Sequence, residues 1–230
     1  MAVDEALLDA ADRTGDAFLR LYRWTPACLS FGRHEPAVTR YDRALIERRG
    51  LDVVRRPTGG RAVWHEHEVT YAVAAPVASF GSLYASYRSI HERLAEALRA
   101  LGLDVSLAPA RPSVRIDAGP ASCFAAPVGG EVMVGGKKVV GSAQVRRGSA
   151  FLQHGSILLD GAQDLVTAVT RRPGVAAASP ATTLSAALGR PVGFAEVAQA
   201  IVGTWNARFV PTDGPSVAPA FADPDWTWRR

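Results

Sequence analysis

The hydrophobic period changes several times along these 230 residues, and each change marks an element. AVDEALLDAADR places Val3, Leu7, Leu8 and Ala11 at helical spacing and predicts an opening helix. AFLRLYRW and ACLSFGR alternate like two strands, with TPA as the turn between them. YDRALIERRG predicts a short helix stopped by Gly50. LDVVRR and EVTYAVAAP predict strands on either side of the glycine-bearing PTGGRAVWHE. The clearest helical pattern covers residues 83–101, LYASYRSIHERLAEALRAL, and Gly102 stops it. LDVSLAP, a Pro/Gly-rich loop at 109–121 and short strands from 122 to about 159 follow. AQDLVTAV, TTLSAAL and FAEVAQAIVGTWNARF are helical again. Strands interleaved with helices, many of the strands antiparallel, predict an α+β fold. No internal repeat interrupts it. We expect one domain over residues 1–212, helical from 161, and a loose Pro-, Ala- and Asp-rich tail over 213–230.

Composition narrows the class. Hydrophobic residues make up 48% and charged residues 21%, enough to bury a sizeable core and too apolar for global disorder. The net charge of +4 is scattered rather than blocked, so it suits an acidic protein partner or anionic substrate better than nucleic acid. Two cysteines, Cys28 and Cys123, with no CxxC spacing, argue against a zinc site and a disulfide scaffold. No apolar run is long enough to span a bilayer and the N-terminus reads as an amphipathic helix, so a reduced, cytoplasmic setting is expected.

Three stretches carry candidate chemistry. In VVRRPTGGRAVWHE a strand delivers Arg55 and Arg56 into a turn, where Gly59 and Gly60 let backbone approach a ligand. Arginine there can grip a carboxylate or phosphate, or the stretch is a tight β-turn with solvated arginines. In KKVVGSAQVRR, Lys138 and Val140 share one strand face while Lys137 and Val139 share the other. One lysine then points inward, and Gly141, Ser142 and Ala143 leave open space above its ammonium; the alternative is a solvated edge strand guarded by lysine. In SCF, Cys123 emerges from the loop, where a nearby ammonium would favour its thiolate; otherwise it packs as a small hydrophobe. Cys28, inside a strand-like run, reads as core. Of the histidines, His65 and His154 are placed to line a site and His91 reads as structural or surface. No Ser-His-Asp arrangement is legible.

RRPTGGRAVWHEHEVTYAV, then SCF, then KKVVGSAQVRRGSAFLQHGSILL, in that order and spacing, resemble the lipoate-protein ligase and octanoyltransferase family. That family shares a catalytic domain with the biotin protein ligases. The likeness runs from AVDEALL to about LLD at 160 and is strongest to octanoyltransferases of the LipM type. It implies a biotin/lipoate protein ligase-like domain of mixed, largely antiparallel sheets flanked by helices. It implies Cys123 and Lys138 as catalytic residues. Substrate-binding positions fall on Arg56, Gly59, Gly60, Arg61 and His65 in the first motif. Gly141, Ser142, Ala143, Gln144, His154 and Gly155 carry that role in the second.

The implied reaction moves an octanoyl or lipoyl group from an acyl carrier protein onto a lysine. The acceptor is a lipoyl-domain protein or a glycine-cleavage carrier protein. The route is a Cys123 thioester, Lys138 reaches into an acyl-binding tunnel, and no metal or ATP takes part. The enzyme would be cytoplasmic and monomeric, with no nucleic-acid or membrane partner. The alternative is an ATP-dependent lipoate-protein ligase or its catalytic subunit, with ATP and Mg as cofactors and Cys123 incidental. A third reading is a non-catalytic acyl- or carrier-binding module. Three departures from the family pattern stand out. Met1 falls where relatives have an internal position, so a truncated start is expected. The loop before Cys123 is short. The segment after 160 is too short for a ligase's accessory domain.

Overall fold

A computed structural model describes residues 1–109, 129–171, 181–211, 221 and 223–229. Helix α1 (Ala2–Thr14) opens the chain and ends at Gly15, whose φ of 79° takes the left-handed conformation glycine adopts without strain. Strands β1 (Phe18–Tyr22) and β2 (Cys28–Phe31) follow, then short helices α2 (Ala37–Arg40) and α3 (Arg43–Arg48). The Asp42 carboxylate caps α3 by accepting from the Leu45 amide. Next come β3 (Asp52–Arg55), β4 (Val63–His65), β5 (Glu68–Pro76), a 3-10 turn and α4 (Leu83–Ala100), capped by Ser82. The second half holds β6 (Val105–Leu107), β7 (Val132–Val134), β8 (Lys137–Lys138), β9 (Val140–Arg147) and β10 (Ala150–Leu158). Helices α5 (Asp164–Ala168), α6 (Leu184–Leu188), α7 (Phe194–Thr204) and α8 (Pro224–Thr227) complete the described elements.

The principal sheet runs β1-β5-β10-β9, antiparallel throughout. Its central strands are buried on both faces, and alternation sends those faces to different partners. Val69, Tyr71 and Val73 of β5 pack with Ile90, Leu94 and Leu98 of α4 and Val197 and Ile201 of α7. Ala72 and Ala74 face Leu7, Leu8 and Ala11 of α1 instead. Each fully buried leucine or isoleucine there contributes about 2 kcal/mol. A second sheet, β3-β2-β4, pairs β2 parallel with β3 and antiparallel with β4. The TPA turn therefore links two sheets, not the arms of one hairpin. A third small sheet runs β6-β7-β8.

Part of the expected loose tail is packed. Trp228 is buried against Phe31, with ring centroids 5.4 Å apart. The fully buried Arg55 guanidinium donates to the carbonyls of Trp226, Thr227 and Arg229, and to those of Gly32, Arg33 and Glu35. Tryptophan supplies the apolar area that holds residues 223–229 down, and arginine satisfies the backbone oxygens this burial would orphan.

Candidate active site

A narrow cleft opens between the principal and second sheets. On one side it is lined by Gly141, Ser142 and Ala143 of β9 with His154, Gly155 and Ser156 of β10. Facing them are Ser30 of β2, Arg56, and Val63 and His65 of β4. Strand pairing sets this wall: His154 lies opposite Ala143, and Gly155 opposite Ser142 on one side and Tyr71 on the other.

Both pocket histidines are held from both ring nitrogens. His65 Nε2 is 2.7 Å from Ser30 Oγ, and its Nδ1 is 2.8 Å from Glu68 Oε1. Trp24 stacks on the imidazole at 4.5 Å and donates its indole N–H to Thr70. His154 Nε2 lies 2.6 Å from Thr58 Oγ1 and its Nδ1 3.3 Å from Asp4 Oδ2. Burial lowers the His154 pKa against the pull of Asp4, which leaves the ring neutral at neutral pH. Burial alone would raise Asp4, but its hydrogen bond with His154 and the Arg20 guanidinium 2.6 Å away hold it well below the usual carboxylate range.

The arginine-glycine turn is a self-contained clamp. Arg56 donates to the carbonyls of Gly59, Arg61 and Ser30 and to Ser30 Oγ. Gly60 has φ 90°. Its carbonyl oxygen lies 1.8 Å from where a Cβ on Gly32 would sit, so only glycine fits at position 32. Gly59 meets nothing within 4 Å of its own Cβ position.

Ser142 is also fixed. Its hydroxyl lies 2.6 Å from Tyr71 Oη and 2.8 Å from His91 Nε2, and His91 Nδ1 reaches the Gly130 carbonyl at 2.7 Å. Burial lowers the His91 pKa to about 4, so the ring is neutral. A Cβ on Gly155 would come within 2.5 Å of the Gly141 carbonyl and 2.7 Å of Ser142 Oγ. Glycine is therefore what lets Tyr71 and Ser142 meet.

Of the two lysines, Lys138 is the inward one and Lys137 is exposed. Lys138 Nζ sits 2.5 Å from Glu131 Oε1, with the two side chains only 1% and 2% exposed. Lys138 is not among the residues lining the cleft, although its charge reaches His91. Gln144 turns toward α4, where its amide donates to Ser86 Oγ at 2.9 Å. Cys123 lies outside the described residues. Cys28 is buried, and burial pushes its thiol up to about 12, as suits a core residue.

Sequence reasoning did not single out Ser30, Glu68, Glu131 or Asp4. Asp4 carried a signal, because it shares the apolar helical face with Leu7, Leu8 and Ala11. The others had none beyond a polar residue in an apolar stretch.

Comparison with known proteins gives this geometry its context. A family model described as the lipoyl protein ligase A/B catalytic domain matches residues 1–205. The octanoyltransferase LipM of Moorella thermoacetica is 37% identical, over 100% of this chain and 93% of its own. That of Kyrpidia tusciae is 46% identical, over 75% of this chain and 66% of its own. A crystal structure of lipoate-protein ligase A bound with ATP superposes with a TM-score of 0.71 at 25% identity, covering 89% of this chain and 77% of its own.

Proposed function

The chain belongs to the lipoyl protein ligase A/B catalytic-domain family and has the octanoyltransferase activity of its relatives, and on that premise we propose its partners and chemical route. The donor is octanoyl-acyl carrier protein, and the acceptor is a lysine of a lipoyl domain or glycine-cleavage carrier protein. The Cys123 thiolate attacks the donor thioester and releases the carrier's thiol. The acceptor amine then attacks the acyl-enzyme, forming the amide and returning Cys123. Neither ATP nor a metal takes part. The chain acts as a cytoplasmic monomer.

Small side chains at Gly141, Ser142 and Ala143 make room for the acyl group, and the Lys138 ammonium favours negative charge on the thioester oxygen. Glu131 orients that ammonium. Arg56 shapes the turn, whose donors go to backbone carbonyls, so it builds the wall of the cleft. The observation that carries this reading is the small-residue strand beside buried His154 and across one cleft from buried His65, in a chain with octanoyltransferase relatives. Incubation with octanoyl-acyl carrier protein and a lipoyl domain, without ATP, tests it. An octanoylated lysine on the acceptor is expected. Transfer that requires ATP and free octanoate or lipoate would overturn it.

A further inference from the structure

Ser30, His65 and Glu68 come from three different strands and are joined by short hydrogen bonds at the wall of the cleft. The polarity of the chain follows from its ends. Arg56 has only donors, and its Nη1 lies 3.0 Å from Ser30 Oγ, so that oxygen accepts. At the other end the Glu68 carboxylate only accepts, so a neutral imidazole carries its proton on Nδ1 and takes the Ser30 hydrogen at Nε2, 2.7 Å away. Nε2 is therefore the unprotonated nitrogen, and Nδ1–H donates to Glu68 Oε1 at 2.8 Å.

The carboxylate is arranged for this one task. Glu68 Oε1 also accepts from the hydroxyls of Thr70 and Ser156, while buried Oε2 has no hydrogen-bond partner among the described residues. A buried carboxylate oxygen left unmatched is not explained by the fold, and it adds negative potential beside the imidazole. Trp24 stacked on the ring, and bonded through Thr70 to the same carboxylate, fixes the ring plane.

We infer that Ser30, His65 and Glu68 form a proton relay for the amine-acceptor half of the reaction, an inference that rests on the proposed octanoyl transfer. As the acceptor's nitrogen bonds to the acyl carbon, one N–H proton passes to Ser30 Oγ, and Ser30 gives its own proton to His65 Nε2. The carbon–sulfur bond breaks with its electron pair going to sulfur. The imidazolium, stabilised by Glu68, then gives up the proton as the released thiolate takes one up. Atoms and charge balance with no added reagent. His65 is the base, Ser30 the carrier, and Glu68 a positioning residue that fixes the tautomer.

The test separates the two halves of the reaction in wild type, His65→Gln and Glu68→Gln. Octanoyl-acyl carrier protein loads the enzyme, and discharge is followed by intact mass with either a lipoyl-domain lysine or hydroxylamine as nucleophile. Hydroxylamine cleaves thioesters rapidly without a catalytic base, its proton going to solvent, so it also reports that the acyl site is intact. In His65→Gln the relay predicts normal loading, normal hydroxylamine discharge, and lysine discharge slowed about a hundredfold or more. Glu68→Gln shifts in the same direction. Equal slowing with both nucleophiles, or lysine discharge at the wild-type rate, overturns the relay while octanoyl transfer stands. Wild type that neither loads nor transfers overturns the transferase reading and the relay with it.

Discussion

Removing the carboxylate of Glu131 should cost this fold several kcal/mol, roughly what breaking a buried ion pair costs. Lys138 is 1% exposed and its ammonium is bonded to a carboxylate that is itself 2% exposed. Glu131→Ala therefore takes this carboxylate away from an ammonium that stays buried. Breaking a buried pair in this way costs about 3–5 kcal/mol, because the surviving buried charge loses this charge-assisted hydrogen bond and gains no water in exchange. With a urea dependence of about 2 kcal/mol per molar, the midpoint of unfolding should fall by roughly 1.5–2.5 M. Lys138→Met alone takes the ammonium away from the buried carboxylate and should cost a similar amount. The double variant removes both charges and leaves an apolar pair, which costs little or even stabilises. Urea unfolding of the four proteins at pH 7.5 closes the cycle. With each single variant costing about 3–5 kcal/mol and the double little, a coupling of roughly 6–10 kcal/mol is expected, and additivity within about 0.5 kcal/mol would show that the two charges do not depend on each other. Glu131→Gln keeps the oxygen and the shape but not the charge, and should fall between wild type and alanine.

His91 gives the fold an acid limit. Its pKa is lowered by burial to about 4, whereas the unfolded chain takes up a proton near the ordinary 6.5. The stability this site contributes is thus complete above pH 6.5 and is lost as pH falls toward 4, by about 3 kcal/mol over that window. His91→Asn should flatten the pH dependence of the urea midpoint between those values. Gly155→Ala drives a Cβ to 2.5 Å from the Gly141 carbonyl, and should destabilise by about 1–3 kcal/mol and depress octanoyl transfer together. Gly32→Ala meets the Gly60 carbonyl at 1.8 Å and should lower the melting temperature further than Gly155→Ala. Arg55→Met leaves carbonyls of residues 226–229 without donors, so proteolysis near Trp228 should quicken while β5 and β10 amides stay protected from hydrogen exchange.

Local periodicity revealed the strands and helices but not their partners. The apolar run of EVTYAVAAP announced β5, and its burial on both faces followed from having no polar face to spare. The helix at 83–100 and its glycine stop were equally legible. Alternation placed Lys137 and Lys138 on opposite faces without saying which was buried, because that depends on where β7 and Glu131 lie. The same limit hid the pairing of β1 with β5, since β1 and β2 look alike as isolated alternating runs. The relay was invisible for a related reason. His65 belonged to a recognisable motif, but Ser30 sits 35 residues away in sequence and meets it only through the β2–β4 register, in which Cys28 pairs with His65. Arg55 carried a misleading signal. An arginine beside a glycine turn suggests an anion site, whereas its bonding partners lie up to 174 residues distant and are backbone oxygens.

In the proposed route the octanoyl group passes through a covalent enzyme intermediate on Cys123. Intact-protein mass spectrometry after incubation with octanoyl-acyl carrier protein, without ATP, tests it most directly. A gain of one octanoyl group on wild type, removed by hydroxylamine and absent from Cys123→Ala, is the predicted result. A Cys123→Ala protein that still transfers octanoyl at the wild-type rate, or a wild type that stays unmodified and acts only with ATP, would contradict it.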